Sequence, residues 1–503
     1  MIRNIRSKVT SRESIYTTYF PLVRPSIVLL LAAGSGILLA FSINKALSLV
    51  DKIGVGTGTV DLILWVTLAG FLSMALILSL RLNELAATAI IAINIIVDLY
   101  LGLYIVSLIM ALAMLLFLFL TQSPRYPWVA PRALWLWTLF LLLAIFPAIF
   151  PATQTIVPFD GLRYYLKVFL AAFIIFWLGM TIARDITKVR LLFSLLVVFG
   201  AFDAIVTNIQ AITGVMLFST SRYEASLQSV GNYQLGATNI SRAGAFLINP
   251  NPNACFLAMT LLMALGLLFD APSLLSKAFY LTLTLPIFLA LLFTYSTEGF
   301  LAALAGIIAL IALAGNGRIR LFLLLLIFGG ALVVIVCLPA QVGLLLQHAS
   351  NPNELQLRNG AWQTGIRVIQ AFPLTGLGLG SYVYQVQAEP YRVLAQYHVL
   401  DHPHNSYLEF AALAGLPVLI VFLTLLLFAL GLALRNWVQA DKRSRTLLGT
   451  GVAVVIVLSV VSLSDAGWTF FPLATLGWLV LGVISSPLLS KGLGQPIMQE
   501  NNL

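Results

Sequence analysis

Long uncharged apolar runs recur along almost the whole chain, and they leave few folds open. In a bilayer every backbone polar group must be satisfied internally, so only helices or closed barrels can span it. The runs here are continuous rather than alternating, which excludes a β-barrel. They fall near 25–47, 61–80, 84–98, 100–120, 132–150, 164–183, 189–212, 244–269, 275–294, 298–315, 319–337, 405–434, 446–464 and 468–486. Residues are 60% hydrophobic and 9% charged, so a soluble globular domain is excluded as well. The expected fold is an all-α, polytopic integral membrane protein with about 12–14 transmembrane helices. The upper count requires 84–120 to be two short spans bent near Asp98, because one helix there would be about 55 Å long.

Charge placement orients the chain. With the N-terminus in the cytoplasm, 19 of the 28 Lys and Arg residues fall on inner segments and 9 on outer ones. This asymmetry fits the positive-inside rule and accounts for the +10 net charge without nucleic acid. The expected organisation is a cytoplasmic tail (1–24), eleven spans (25–337), a large periplasmic loop (338–404), the C-terminal spans (405–486) and a cytoplasmic tail (487–503). Residues 1–24 are basic and polar, with no evident cleavage site after them. Cys255 and Cys337 lie inside apolar runs and read as small core residues.

All four histidines fall on the outer side in this topology, and two of them, His402 and His404, flank Pro403 at the mouth of an apolar run. Asn405 or Ser406 can cap the helix that follows. His404 thus sits at a helix N-terminus where water meets membrane, and a neutral imidazole there can accept a proton from a hydroxyl. The plainer alternative is a histidine that only hydrogen-bonds the cap.

The loop at 338–404 is the longest polar segment, and loops of this length are often functional. Within it, 355–372 reads as an amphipathic surface helix with Trp362, Ile366 and Ile369 on one stripe. Arg358 lies on that stripe and needs an anionic partner or a lipid phosphate, while Arg367 faces solvent. Gly376, Gly378 and Gly380 lack the βαβ context of a dinucleotide loop and read as a flexible turn.

Other outer positions add polar groups. Arg242 precedes Asn249, Asn251 and Asn253, which interleave with Pro250 and Pro252. The pattern fits a helix broken beside a polar cavity, or a capped helix start with proline in its first turn. Glu298 opens a span, where a carboxylate can simply complement the helix dipole. Asp98 and Asp203 read as structural acids.

Several of these segments, in order, resemble the O-antigen ligase and O-antigen polymerase family of bacterial membrane glycosyltransferases. They are N-P-N at 249–251, the arginine-bearing helix and P-L-T-G-L-G-L-G ending at Gly380, then H-P-H-N-S-Y-L-E-F and L-A-G-L-P. The match covers roughly 240–430. It departs from the family where a Ser-Arg pair is usual, because Ser296 is followed by Thr297 and Glu298.

The resemblance implies transfer of a glycan from an undecaprenyl-diphosphate carrier at the periplasmic face of the inner membrane. The acceptor is lipid A–core for ligases and another lipid-linked glycan for polymerases. It further implies no metal or other cofactor, and membrane lipids as surroundings. By the same resemblance His404 activates the acceptor hydroxyl and Arg358 holds the diphosphate. Arg242, Asn251, His402, Asn405, Glu298 and Arg163 are further candidates for diphosphate or glycan contacts. The departure slightly favours a polymerase over a ligase. A transporter or flippase is the alternative, and it would use polar pairs at mid-bilayer.

Overall fold

The computed structural model describes residues 82–99, 106–120, 129–149, 159–214, 232–235, 238–314, 317–337, 352–393 and 402–489, with scattered positions elsewhere. The expected N-terminal tail and first span, most of the C-terminal tail, and the outer-loop residues Arg222 and Asp401, by sequence candidates for an extra charge and for a partner of His404, lie outside these residues. The chain divides into two compact units, 1–89 and 90–503. Every site residue discussed below belongs to the second.

The second unit is helical apart from one short hairpin, Asn232–Leu235 with Thr238–Ser241, among the described residues. Its helices are α1 (Val106–Leu120), α2 (Leu134–Ile149), α3 (Asp160–Ile182, π-helical over Tyr165–Leu170), α4 (Ile186–Thr213), α5 (Pro250–Asp270), α6 (Leu274–Phe293) and α7 (Thr297–Leu313). They continue as α8 (Gly317–Cys337), α9 (Pro352–Ala371), α10 (Ser381–Gln387), α11 (Ser406–Ala414), α12 (Leu416–Gln439), α13 (Lys442–Val461) and α14 (Phe471–Ile484). Among the described residues, seven helices are long and apolar enough to cross a membrane, and α1, α2 and α7 are shorter apolar helices. The chain is an all-α, multi-pass membrane protein.

Helices α5 and α14 are buried along nearly their whole length, whereas α6 turns Leu275, Phe279, Leu285 and Phe288 outward. A lipid-facing helix needs no polar partner there, so an apolar outer face is what a bilayer permits. The central helices approach closely through small residues. A Cβ on Gly179 of α3 would stand 2.4 Å from the Leu479 carbonyl of α14, and one on Gly482 would stand 2.2 Å from the Phe176 carbonyl. Below the site, Phe410, Phe422, Trp468 and Trp478 form a continuous aromatic core, with Phe410 and Phe422 stacked at 4.4 Å.

The run at 405–434 is not one span. It divides at Gly415, whose φ of +88 lies in the left-handed region, and Pro417 follows in the first turn of α12. Hydropathy alone ran across this break, because both flanks are apolar. Asn249 caps α5 by accepting from Asn251 N–H, with Pro250 in the first turn, as the capped-start alternative expects, and Asn249 and Pro252 also line a cavity. Asp203 accepts from Phe246 N–H, and Asp98 accepts from the Ser107 N–H and hydroxyl.

The glycine-rich segment after Pro373 is not a free turn. Leu377 and Gly378 donate to the Ala412 and Leu413 carbonyls of α11, and Leu379 donates to Pro147 of α2. Gly376, at φ +67, lies against the Leu413 backbone where a Cβ would stand 2.3 Å away. The segment fastens the loop to the end of the helix that begins just after His404. Helix α9 also differs from the expected stripe. Ala361, Thr364, Gly365 and Val368 are buried, whereas Ile366 is 44% exposed. Small residues let α9 lie close to α11, and Gly365 packs near Pro403.

Candidate active site

His404 occupies the residue before the α11 cap, with φ +49. Left-handed backbone at a residue other than glycine is uncommon and clusters at functional sites. Two contacts hold it. Trp362 of α9 donates its indole N–H to the His404 carbonyl at 3.0 Å. Asn405 accepts from the N–H groups of Tyr407 and Leu408 and donates to the Leu463 carbonyl at 2.8 Å. Asn405 therefore serves as cap and tether.

The turn between α13 and α14 closes on the same spot. Ser406 N–H donates to the carbonyls of Ser462 and Asp465, and Trp468 N–H donates to the Ser406 hydroxyl at 3.0 Å. This presents the Asp465 carboxylate to both imidazoles. Its Oδ1 lies 3.5 Å from His402 Nε2 and 3.7 Å from His404 Nδ1. The two rings are 4.3 Å apart between centroids. Burial favours a neutral Asp465, but the two imidazoles beside it outweigh that and hold its carboxyl well below the usual carboxylate range.

Arg358 of α9 is ion-paired with Glu298 at the head of α7, and it also donates to the Ser464 carbonyl at 3.3 Å, next to Asp465. Glu298 is thus not only a dipole complement. Arg242 is buried, donating to the Thr294 carbonyl at 2.9 Å and to Asn251 Oδ1 at 2.6 Å. Both arginines and Asp465 act electrostatically on Glu298, so the four charges form one cluster. Of the sequence candidates, His402, His404, Asn405, Arg358, Glu298, Arg242 and Asn251 converge here.

A cavity of about 630 Å³ opens beside the cluster, with His402 and Asp465 in its wall. Arg163 of α3 lies on the same cavity but apart from the Arg358–Glu298 pair, as do Asn249 and the aromatic rings of Tyr382 and Phe470. Glu409 of α11 also lines it and is held by the Tyr164 and Thr469 hydroxyls, both at 2.6 Å.

Asp465 and Glu409 were not singled out in the sequence. Glu409 stood inside the H-P-H-N-S-Y-L-E-F segment itself. For Asp465 the available signal was a carboxylate in an outer turn, on the same side as the histidines. The donor set His402, His404 and Asp465 lies within 4.8 Å and is also of a kind that can ligate a transition metal. None of the three identifies an ion by itself.

Residues 282–423 match the family described as O-Antigen ligase. That segment contains Glu298, Arg358, His402 and His404, and leaves out Arg242 and Asp465. The chain is also similar to the exopolysaccharide production protein ExoQ of Rhizobium meliloti (strain 1021), 26% identical over 165 residues. This alignment covers 32% of the chain and 38% of ExoQ, well under two thirds of that relative.

Proposed function

We propose that this chain, a multi-pass membrane protein of the O-antigen ligase and polymerase type by its match over 282–423, is a glycosyltransferase. It would move a glycan from an undecaprenyl-diphosphate carrier to a sugar hydroxyl, on the periplasmic side of the bacterial inner membrane. The observation that carries this reading is the meeting of His404, Asp465 and Arg358, with Asp465 and its second histidine, His402, in the wall of a cavity.

In the proposed reaction the acceptor oxygen attacks the anomeric carbon of the donor. A new glycosidic C–O bond forms, and the bond from that carbon to the carrier phosphate breaks. The diphosphate leaves with the electron pair, and the hydroxyl proton passes to His404. Because Nδ1 faces Asp465, Nε2 is the nitrogen available for that proton, and the carboxylate then steadies the imidazolium. A positioned base contributes roughly 10²–10⁴-fold. Arg358 and Arg242 offset the charge gathering on the diphosphate, because a guanidinium stays charged and pairs phosphate oxygens through its planar fork. Glu298 keeps Arg358 in place until substrate arrives.

The similarity to ExoQ, an exopolysaccharide production protein, favours polymer assembly over transfer to lipid A–core. The test is a reconstituted assay with undecaprenyl-diphosphate-linked repeat units, with and without lipid A–core. A ladder from repeat units alone supports a polymerase, and a single shift of lipid A–core supports a ligase. No product, with the lipid crossing the bilayer instead, moves the assignment to a transporter.

A further inference from the structure

Buried polar side chains from two spans converge on one turn, at 243–249, that joins Arg242 to the head of α5. Asp203 and Gln210 stand seven residues apart on α4, so they share one helix face. Both are buried, and both accept from the turn. Asp203 Oδ1 takes the Phe246 N–H at 3.3 Å, and Gln210 Oε1 takes the Ala245 N–H at 3.0 Å. From α5, the buried Asn253 donates to the Ala243 carbonyl at 3.4 Å. A buried polar group is costly unless it is hydrogen-bonded, so these side chains and the turn satisfy one another.

What they hold is strained. Ile248 has φ +65 and ψ −53, and the Asn249 N–H donates to the Leu247 carbonyl at 2.6 Å. That is a γ-turn of the rare, strained hand, centred on a β-branched residue that favours negative φ. Ala245 is left-handed as well, at φ +41. A Cβ on Gly244 would stand 1.9 Å from the Ile248 carbonyl, so only glycine fits there. A helix start needs no such turn, because the Asn249 side chain alone caps α5. Strain of this kind persists only where the surroundings impose it, and it gathers at ligand sites. Leu247, Ile248 and Asn249 all line the cavity that His402 and Asp465 border. Asn249 uses its Oδ1 in the cap, and its side-chain amide N–H groups make no hydrogen bond among the described residues.

We propose that Asp203 and Gln210 are positioning residues, which hold the strained turn so that Asn249 donates its side-chain amide to an oxygen of the donor glycan. This deepens the transferase reading and rests on it. Asn251, two residues on, accepts from Arg242, the arginine assigned to the donor diphosphate, so one short segment serves both parts of the donor. A side-chain amide suits a neutral sugar oxygen, because it donates without adding charge. The assignment also gives Asp203 a task inside its span that needs its oxygen and not its charge.

The test uses the full chain in nanodiscs with a labelled undecaprenyl-diphosphate repeat unit as donor, and reads donor KM and kcat separately. Asn249→Ser keeps a capping oxygen and loses the amide. It should raise donor KM about fivefold, as loss of one neutral hydrogen bond does, with a smaller change in kcat and a nearly unchanged unfolding temperature. Asp203→Leu should raise donor KM by at least as much. Asp203→Asn, which keeps an oxygen for the Phe246 N–H, should restore most of that loss. Adding Asn249→Ser to Asp203→Leu should raise KM little further, because one residue acts through the other. The strain is read without activity. Ile248→Gly should unfold at a higher temperature than Ile248→Ala, the reverse of the usual order for glycine and alanine.

Asp203→Asn as damaging as Asp203→Leu would mean that the charge is what matters, and it overturns the inference while leaving the transferase reading standing. So does a donor KM untouched by Asn249→Ser, or losses that add in the double variant. An Ile248→Ala protein that unfolds above Ile248→Gly shows no strain to be held, and the inference fails there too. If Asp203→Leu does not fold, the Asn249→Ser and Ile248 variants decide alone. Failure of wild type to transfer, with the unfolding order as expected, overturns the transferase reading and with it the role of Asn249.

Discussion

Arg358 and Glu298 form an ion pair that joins the loop helix α9 to the head of α7. The arginine is the group expected to meet the leaving diphosphate, and the glutamate is the group that holds it there. Glu298 is largely buried, so its charge depends on Arg358 and Arg242.

Removing one partner of this pair should cost more than removing both. Arg358→Gln leaves a buried carboxylate short of a cation, a change that typically costs about 3 kcal/mol. Adding Glu298→Gln should recover most of that stability, since the carboxylate that lost its cation is gone, but it should not recover transfer. Thermal unfolding in detergent reads the first effect and the transfer rate reads the second. Recovery of both together would mean that Arg358 serves only the fold.

Asp465→Asn should slow transfer by about 10²-fold or more while leaving donor KM nearly unchanged, because the residue acts through His404. It also carries a stability signature. Asp465 is more acidic in the folded chain than an ordinary aspartate, whose value is about 3.9. Its contribution is therefore present above that value and is lost as pH falls towards the folded value. The difference in melting temperature between wild type and Asp465→Asn should be steady above about pH 5 and shrink below about pH 4. A gap that widens on acidification would contradict the placement of the charge.

Chelation offers a separate check on the His402, His404 and Asp465 cluster. With His404 acting as a free imidazole, EDTA should leave the transfer rate unchanged. A rate lost on chelation and restored by Zn²⁺ or Mn²⁺ would make the cluster a metal site and take the base role away from His404.

Gly380→Ala should destabilise the fold, by about 1–3 kcal/mol. Its φ is +127, and the new Cβ would press on the Asp160 carboxylate. Thermal unfolding measures it, and a variant as stable as wild type would show that the loop is not fastened there.

Much of this arrangement was legible in the sequence, for a physical reason. His404, a cap at Asn405 or Ser406, Arg358, and Arg242 and Asn251 as separate candidates sit in short segments where residue type and local spacing carry the signal. Glu298 was legible as a charged helix start, though not as the partner of Arg358. Asp465 was hidden because its meaning comes from a turn between two later helices, which the aromatic core of Phe410, Phe422 and Trp468 brings back to the histidines. The break at Gly415 was masked by apolar residues on both sides. The outward face of Ile366 was hidden because small residues, not large ones, make the docking face of α9.

The central claim is that His404 takes the acceptor proton, and single-turnover transfer by His404→Ala tests it most directly. Purified variant and wild type would be loaded with the same lipid-diphosphate donor, and donor binding checked in both. The account predicts intact donor binding and unfolding temperature, with the chemical step slowed by about 10²–10⁴-fold. A variant that turns over at the wild-type rate would contradict it.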